Sequence, residues 1–128
     1  MFIAITHNIK VSVESFFQPD YSYPMSQHFM FAYRIRIENN GNDTIQLLRR
    51  HWYIIDAFGA HREVEGEGVV GEQPIIRQTK SYTYVSGCDL KTDLGKMYGT
   101  YLMKNLQTDT LFHVIIPEFV MVAPLKLN

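Results

Sequence analysis

A chain of 128 residues, 46% hydrophobic and 20% charged, is sized for one domain around one core. Its formal net charge of −1 excludes broad electrostatic attraction to nucleic acid or to an anionic membrane surface. A single cysteine, Cys88, excludes an intramolecular disulfide, and no apolar run approaches the ~18–20 residues that a spanning helix needs. Met1–Thr6 is too short for a signal-peptide core and follows no positive charge, so a cytoplasmic protein without membrane insertion is expected.

Taken in chain order, the pattern is that of strands. Ile9, Val11 and Val13 alternate with Asn8, Lys10, Ser12 and Glu14, which predicts a strand with one buried face. Phe16–Pro24 holds two prolines and reads as an aromatic-rich loop. Phe29, Phe31, Tyr33, Ile35 and Ile37 then alternate with Met30, Ala32, Arg34, Arg36 and Glu38, the clearest strand of the chain. Asn39–Asp43 is a turn, since Asn and Gly tolerate positive φ, and Thr44–Asp56 is expected to pair back on the preceding strand. Leu47–Trp52 breaks the alternation, which calls for a bulge or a change of sheet. Asp56–Gly59 is a turn. His61, Glu63 and Glu65 lie on one face of a short strand, with Arg62 and Val64 on the other.

A glycine-rich stretch, Gly66–Pro74, comes next. Lys80–Val85 reads as a strand with Tyr82 and Tyr84 on one face, and Ser86–Gly95 as a loop. Met97, Gly99, Tyr101 and Met103 alternate in another strand, Asn105–Asp109 turns, and Phe112, Val114 and Ile116 mark the last long strand. Pro117 interrupts it, and Phe119–Val122 resumes at an edge. No helical period is found. Seven to eight strands at hairpin spacing predict an all-β sandwich with Trp52 in its core; a barrel is the alternative. No linker or repeat divides the chain, so residues 1–128 are read as one domain.

Four places could carry chemistry. Gly66, Gly68 and Gly71 match the letters G-x-G-x-x-G. That fingerprint needs a strand turning into a helix N-terminus, whose free N–H groups take the pyrophosphate. Here Glu72-Gln73-Pro74-Ile75-Ile76 follows, which is not helical, and Glu65, Glu67 and Glu72 would repel phosphate. The dinucleotide reading is set aside. An anion nest of loop N–H groups and a simple turn both remain. His61, Glu63, Glu65 and Glu67 recur at every second residue and could face a hard cation such as Mg²⁺. A flat row does not converge, so a solvated acidic face is the favoured alternative. Cys88 could serve as a nucleophile only beside a histidine, and no motif supplies one. Arg49 and Arg50 precede His51 and Trp52. On a strand, Arg50 shares the face of Trp52, so a core Trp52 leaves Arg50 partly buried and in want of a carboxylate or an anionic ligand. No catalytic constellation and no resident cofactor are expected.

Six ordered blocks resemble the ApaG family, also called CorD, over about Ile9–Pro124. They are Phe31–Asn39, Gln46–Asp56 with Gly59, Val64–Pro74, Tyr84–Cys88, Met97–Met103 and Ile116–Phe119. The resemblance implies an immunoglobulin/fibronectin type III-like sandwich in the stand-alone bacterial form. It implies a non-enzymatic binding module, associated with Co²⁺/Mg²⁺ resistance or efflux and acting through a protein partner. Pyrophosphate or nucleotide binding, at Gly66, Gly68 and Gly71, is an alternative, with Arg49 or Arg50 nearby. Direct divalent-cation binding is another. An edge strand also offers a route to a homodimer. The chain departs from the family's pattern at Gln78-Thr79, where Pro-Gly is usual, which bears on the geometry of that turn.

Overall fold

The computed structural model describes residues 1–124. Nine strands follow in order: β1 Phe2–Thr6, β2 Ile9–Phe17, β3 Phe29–Asn39, β4 Ile45–Asp56, β5 His61–Glu67, β6 Ile75–Ile76, β7 Ser81–Leu90, β8 Leu94–Asn105 and β9 Thr110–Val122. Single turns of 3-10 helix, each opened by a proline, occupy Pro19–Tyr21 and Pro24–Ser26. One antiparallel sheet runs β1-β2-β3-β7 and the other β5-β4-β8-β9, with β6 also paired to β4. The architecture is the expected immunoglobulin/fibronectin type III-like sandwich.

Period-two alternation places the core. In β2 and β3, Val11 lies opposite Ile37 and Val13 opposite Ile35, and all four are fully buried. Across from them the second sheet contributes Leu47, Trp52, Tyr101, Met103 and Phe119. An aromatic centre joins the layers. Trp52 meets Tyr33 edge-on with ring centroids 5.5 Å apart, and Phe119 lies 5.9 Å from Trp52 and 5.7 Å from Tyr33. Such contacts add to the burial of large apolar rings. The hydroxyls of Tyr84 in β7 and Tyr101 in β8 hydrogen-bond across the layers at 2.5 Å, and burial raises both phenols.

Three local expectations are corrected, one unread strand is added and one open alternative is resolved. β4 does not pair back on β3, because β2 and β7 already flank β3 and the chain crosses to the other sheet. Buried Asn39 anchors that crossing: its Nδ2 donates to the carbonyls of Asp43 (2.8 Å) and Ile76 (3.0 Å), and its Oδ1 accepts from Gly41 N–H. Phe2–Thr6, unread as structure, pairs with β2. Ser86–Leu90 continues β7 rather than looping, so Cys88 sits in a strand. Pro117 does not end β9, since the register shift opposite Met97/Gly99 absorbs it. The irregularity at Leu47–Trp52 is a bulge at Leu48 within one strand, not a change of sheet.

The two sides of the sandwich differ. On one, β9 packs against β1 and β2. There Ile115 N–H donates to Thr6 Oγ1 at 3.1 Å and the Ser15 hydroxyl to the Val120 carbonyl at 3.0 Å. On the other side, the edges β5 and β7 face each other across a cleft.

Candidate functional site

β5 and β6 run in line along one edge of β4, with Arg49 opposite Glu67 and Gln46 opposite Ile75. The glycine-rich stretch is therefore an excursion from a single edge, made beside the Leu48 bulge. Its base is stitched to β4. Gly68 N–H and Gln73 Nε2 both donate to the Leu48 carbonyl, at 2.8 and 2.9 Å, and Leu47 N–H donates to the Pro74 carbonyl at 3.0 Å. Its tip is a two-residue turn in which Val69 and Glu72 exchange hydrogen bonds of 2.8 and 2.9 Å. Val70 (φ 44°) and Gly71 (φ 81°) are both left-handed, as a type I′ turn requires. A Cβ at Gly68 would lie 2.1 Å from the Glu72 carbonyl oxygen, so only glycine fits there. Val69 plugs into the core at 1% exposure. The stretch is strand, hairpin and strand, and it meets no helix. The N–H groups of Gly68, Val69 and Glu72 bind carbonyls of the protein itself.

Arg50 faces inward, as its alternation with Trp52 predicts. Its partner is not the expected carboxylate. Nη1 donates to the carbonyls of Glu67 and Gly68, each at 3.0 Å, so the guanidinium closes over the start of the glycine loop. Among the described residues no carboxylate oxygen lies within ion-pair distance of Arg50, and Nη2 and Nε have no hydrogen-bond partner. Arg49 points to the opposite, outer face. It meets Glu67 Oε1 at 4.0 Å with both side chains largely exposed, a pair that contributes little.

The acidic row of β5 also lies on the outer face. Glu65 and Glu63 flank His51, with Nδ1 2.9 Å and Nε2 3.2 Å from their carboxylates, and the imidazole stacks on Tyr53 with a centroid distance of 4.5 Å. His61 and Glu67 extend the row without joining this group. Among the described residues no three His, Cys, Asp or Glu side chains gather in a metal-holding arrangement.

The cleft between β5 and β7 measures about 240 Å³ and is lined by Tyr33, Arg50, Trp52, Arg62, Val64, Ser86 and Cys88. Arg62 bridges its far end from β5 to β7, with Nη2 donating to the Asp89 carbonyl (2.7 Å) and to Cys88 Sγ (3.4 Å). At the glycine-loop end, the Tyr82 hydroxyl in β7 donates to Glu72 Oε2 at 2.9 Å. Burial pushes the Cys88 thiol up to about 11, which the Arg62 charge only partly offsets. The thiol is neutral at physiological pH and is hydrogen-bonded to Arg62 and the Asp89 carbonyl rather than to a histidine, so it is a poor nucleophile. Burial likewise raises the Tyr33 phenol, with the Ser86 side chain beside it.

Sequence reading thus found Arg50 and missed its companions. Arg62 and Val64 share one strand face by alternation, and that face is the cleft wall. Tyr33 and Ser86 had no readable signal, because they join the site only through the pairing of β3 with β7. Among the described residues no helix is long and apolar enough to cross a membrane.

Comparison with known proteins agrees with this architecture. The family model described as ApaG domain matches residues 19–105. A protein named Protein ApaG from Paramagnetospirillum magneticum is 47% identical over 124 residues, 97% of this chain and 95% of that one. Its namesake from Afipia carboxidovorans is 46% identical over the same shares. The crystal structure of a Bordetella pertussis protein designated ApaA superimposes with a TM-score of 0.88 at 38% identity, covering 94% of this chain and 97% of that one. Matched along nearly its whole length in sequence and in fold, the chain belongs to the ApaG domain family.

Proposed function

We propose that the protein is a cytoplasmic, non-enzymatic binding module that acts by holding a protein partner in the cleft between β5 and β7. The observation that carries this reading is Arg50. It is half-buried at the cleft, fixed by two backbone carbonyls, and its remaining donors have no partner among the described residues. A fixed cation with donors left over is an acceptor site for an acidic group, since charge-assisted hydrogen bonds to guanidinium are strong and directional. The cleft offers no acid–base pair and no activated nucleophile to go with it. Cys88 is protonated and hydrogen-bonded to Arg62 and the Asp89 carbonyl. On this reading the family's association with Co²⁺ and Mg²⁺ is indirect, running through whatever the module binds.

The test is recovery of a stoichiometric partner under native conditions with the wild-type chain as bait, and its reduction with Arg50→Gln. No stoichiometric partner would count against the reading. Calorimetry with pyrophosphate and with Mg²⁺ separates it from ligand binding at the Gly66–Gly71 loop or at the His61–Glu67 row. Saturable heat at millimolar ligand would replace the partner reading with one of those.

A further inference from the structure

The backbone of β7 is the strongest unexplained feature of the molecule. Asn39 N–H donates to the Lys80 carbonyl at 3.0 Å and Thr79 N–H to the Asn39 carbonyl at 2.9 Å, so Asn39 faces a Thr79–Lys80 bulge and the Lys80 carbonyl points toward β3. At the other end, Met30 lies opposite Asp89 but turns its carbonyl away, to Gln18 N–H at 2.8 Å. The register between these ends has no shift, so the antiparallel alternation is unbroken. It follows that Ser81, Thr83, Val85, Gly87 and Asp89 direct their N–H and C=O groups away from β3, to the open edge. Arg62 takes the Asp89 carbonyl. The edge groups of the other four have no protein partner among the described residues.

The remaining edges are defended. β5 carries His61, Arg62, Glu63, Glu65 and Glu67 within seven residues. β9 contains Pro117 and is sealed against β1 and β2, and β1 has only five residues. Ser81–Cys88 has neither charge nor proline. Soluble proteins usually blunt a long uncharged edge, because it recruits other strands.

We propose that β7 receives an extended segment of a partner protein, which adds to the four-stranded sheet and presents an acidic side chain to Arg50. This rests on the binding-module reading above and specifies its mode. Backbone pairing to Ser81, Thr83, Val85 and Gly87 supplies the affinity, and alternate side chains supply the specificity. The inward-facing ones lie over the cleft, where Val64 is 37% exposed and Arg50 has unused donors. Charge complementarity therefore selects a carboxylate at one inward position. A second copy of the chain fits less well. Two-fold pairing of β7 with β7 would bring two β5 edges together, each bearing Glu63, Glu65 and Glu67.

The test is selection of random dodecapeptides against the immobilised full chain, followed by fluorescence polarisation with a synthesised winner. Winners should carry Asp or Glu in a period-two pattern with β-branched residues. N-methylation of the winner at one set of alternate backbone positions should weaken binding by roughly tenfold or more, and at the other set should have little effect. Val85→Pro should weaken it similarly while leaving the fold intact, because that N–H faces outward. Arg50→Gln should cost about tenfold and Arg50→Lys less. Selection without an enriched class would overturn the proposal. So would winners indifferent to Val85→Pro and to N-methylation; they would bind elsewhere, and the module reading would survive. A dimer in sedimentation that Val85→Pro dissolves would assign the edge to a second copy and overturn the partner segment.

Discussion

The two flanks of this sandwich are built on opposite rules. At the β1–β9 flank the layers are drawn together: Ile115 reaches Thr6, Ser15 reaches Val120, and Val114, Ile116 and Met121 are buried behind them. At the β5–β7 flank the layers stand apart and, among the described residues, are bridged at the ends, by Arg62 to Asp89 and by Tyr82 to Glu72. Apolar packing closes one flank and charged or polar side chains prop the other. The difference teaches where stability and binding reside in one small core. A closed flank lowers the free energy of the fold, whereas a propped one leaves apolar wall and guanidinium donors available to something else.

The largest expected effect sharpens that contrast. Phe119→Ala should destabilise the protein by about 4 kcal/mol in chemical denaturation, since the ring is fully buried between Tyr33 and Trp52 and its loss leaves a cavity. Val64→Ala at the open flank, where the side chain is 37% exposed, should cost less than about 1 kcal/mol. Equal costs would break the comparison.

Next comes the alkaline limb of stability. Cys88 has a folded pKa of about 11 against an ordinary value of 9.0, so the unfolded chain loses the thiol proton first. Its contribution is complete below about pH 9 and falls away as pH rises toward about 11, by up to roughly 2 kcal/mol. Denaturation series at pH 8 and pH 10.5 should show a smaller loss for Cys88→Ala than for the wild type, the buried tyrosines contributing to both. At the closed flank, Thr6→Ala should cost about 1 kcal/mol by removing the acceptor of Ile115 N–H, and should speed exchange of that amide. The smallest effect has the opposite sign. Thr79 holds φ at 66°, a conformation that costs a β-branched residue, in the turn closed by Lys80 N–H to the Arg77 carbonyl. Thr79→Gly should therefore raise the thermal midpoint, corresponding to about 0.5–1 kcal/mol. An unchanged or lowered midpoint would show that the turn is relaxed with threonine.

How much of this was legible depended on whether the governing interaction is local. β3 announces itself because Phe31, Tyr33, Ile35 and Ile37 repeat on one face, and period two is a property of the strand alone. The crossing of β4 to the other sheet is not local. It hangs on Asn39 reaching Ile76, 37 residues away in sequence, and no alternation reports that. β1 was invisible because Ile3 and Ile5 are exposed while Phe2 and Ala4 turn inward, leaving apolar letters on both faces. Ser86-Gly87-Cys88-Asp89 carries turn composition yet stays extended, since β3 pairs with it along its length. At the site, Arg50 was legible from its phase with Trp52. That two carbonyls of the glycine loop would hold its Nη1 was not, because the loop's return to the same β4 edge is a tertiary fact.

The first glycine of the fingerprint has a role unlike the other two. A Cβ on Gly66 would sit 2.9 Å from Arg50 Nη1 and 3.0 Å from Nη2, while its own backbone is ordinary strand. Gly66 is vacant space reserved for a cation. A methyl group there would meet the mobile end of a long side chain and not a fixed backbone, so the fold could yield by swinging the guanidinium aside. Gly66→Ala is thus a steric lever on the charge of the cleft. It relocates Arg50 without deleting it, and its mark should fall on recognition far more than on the melting curve.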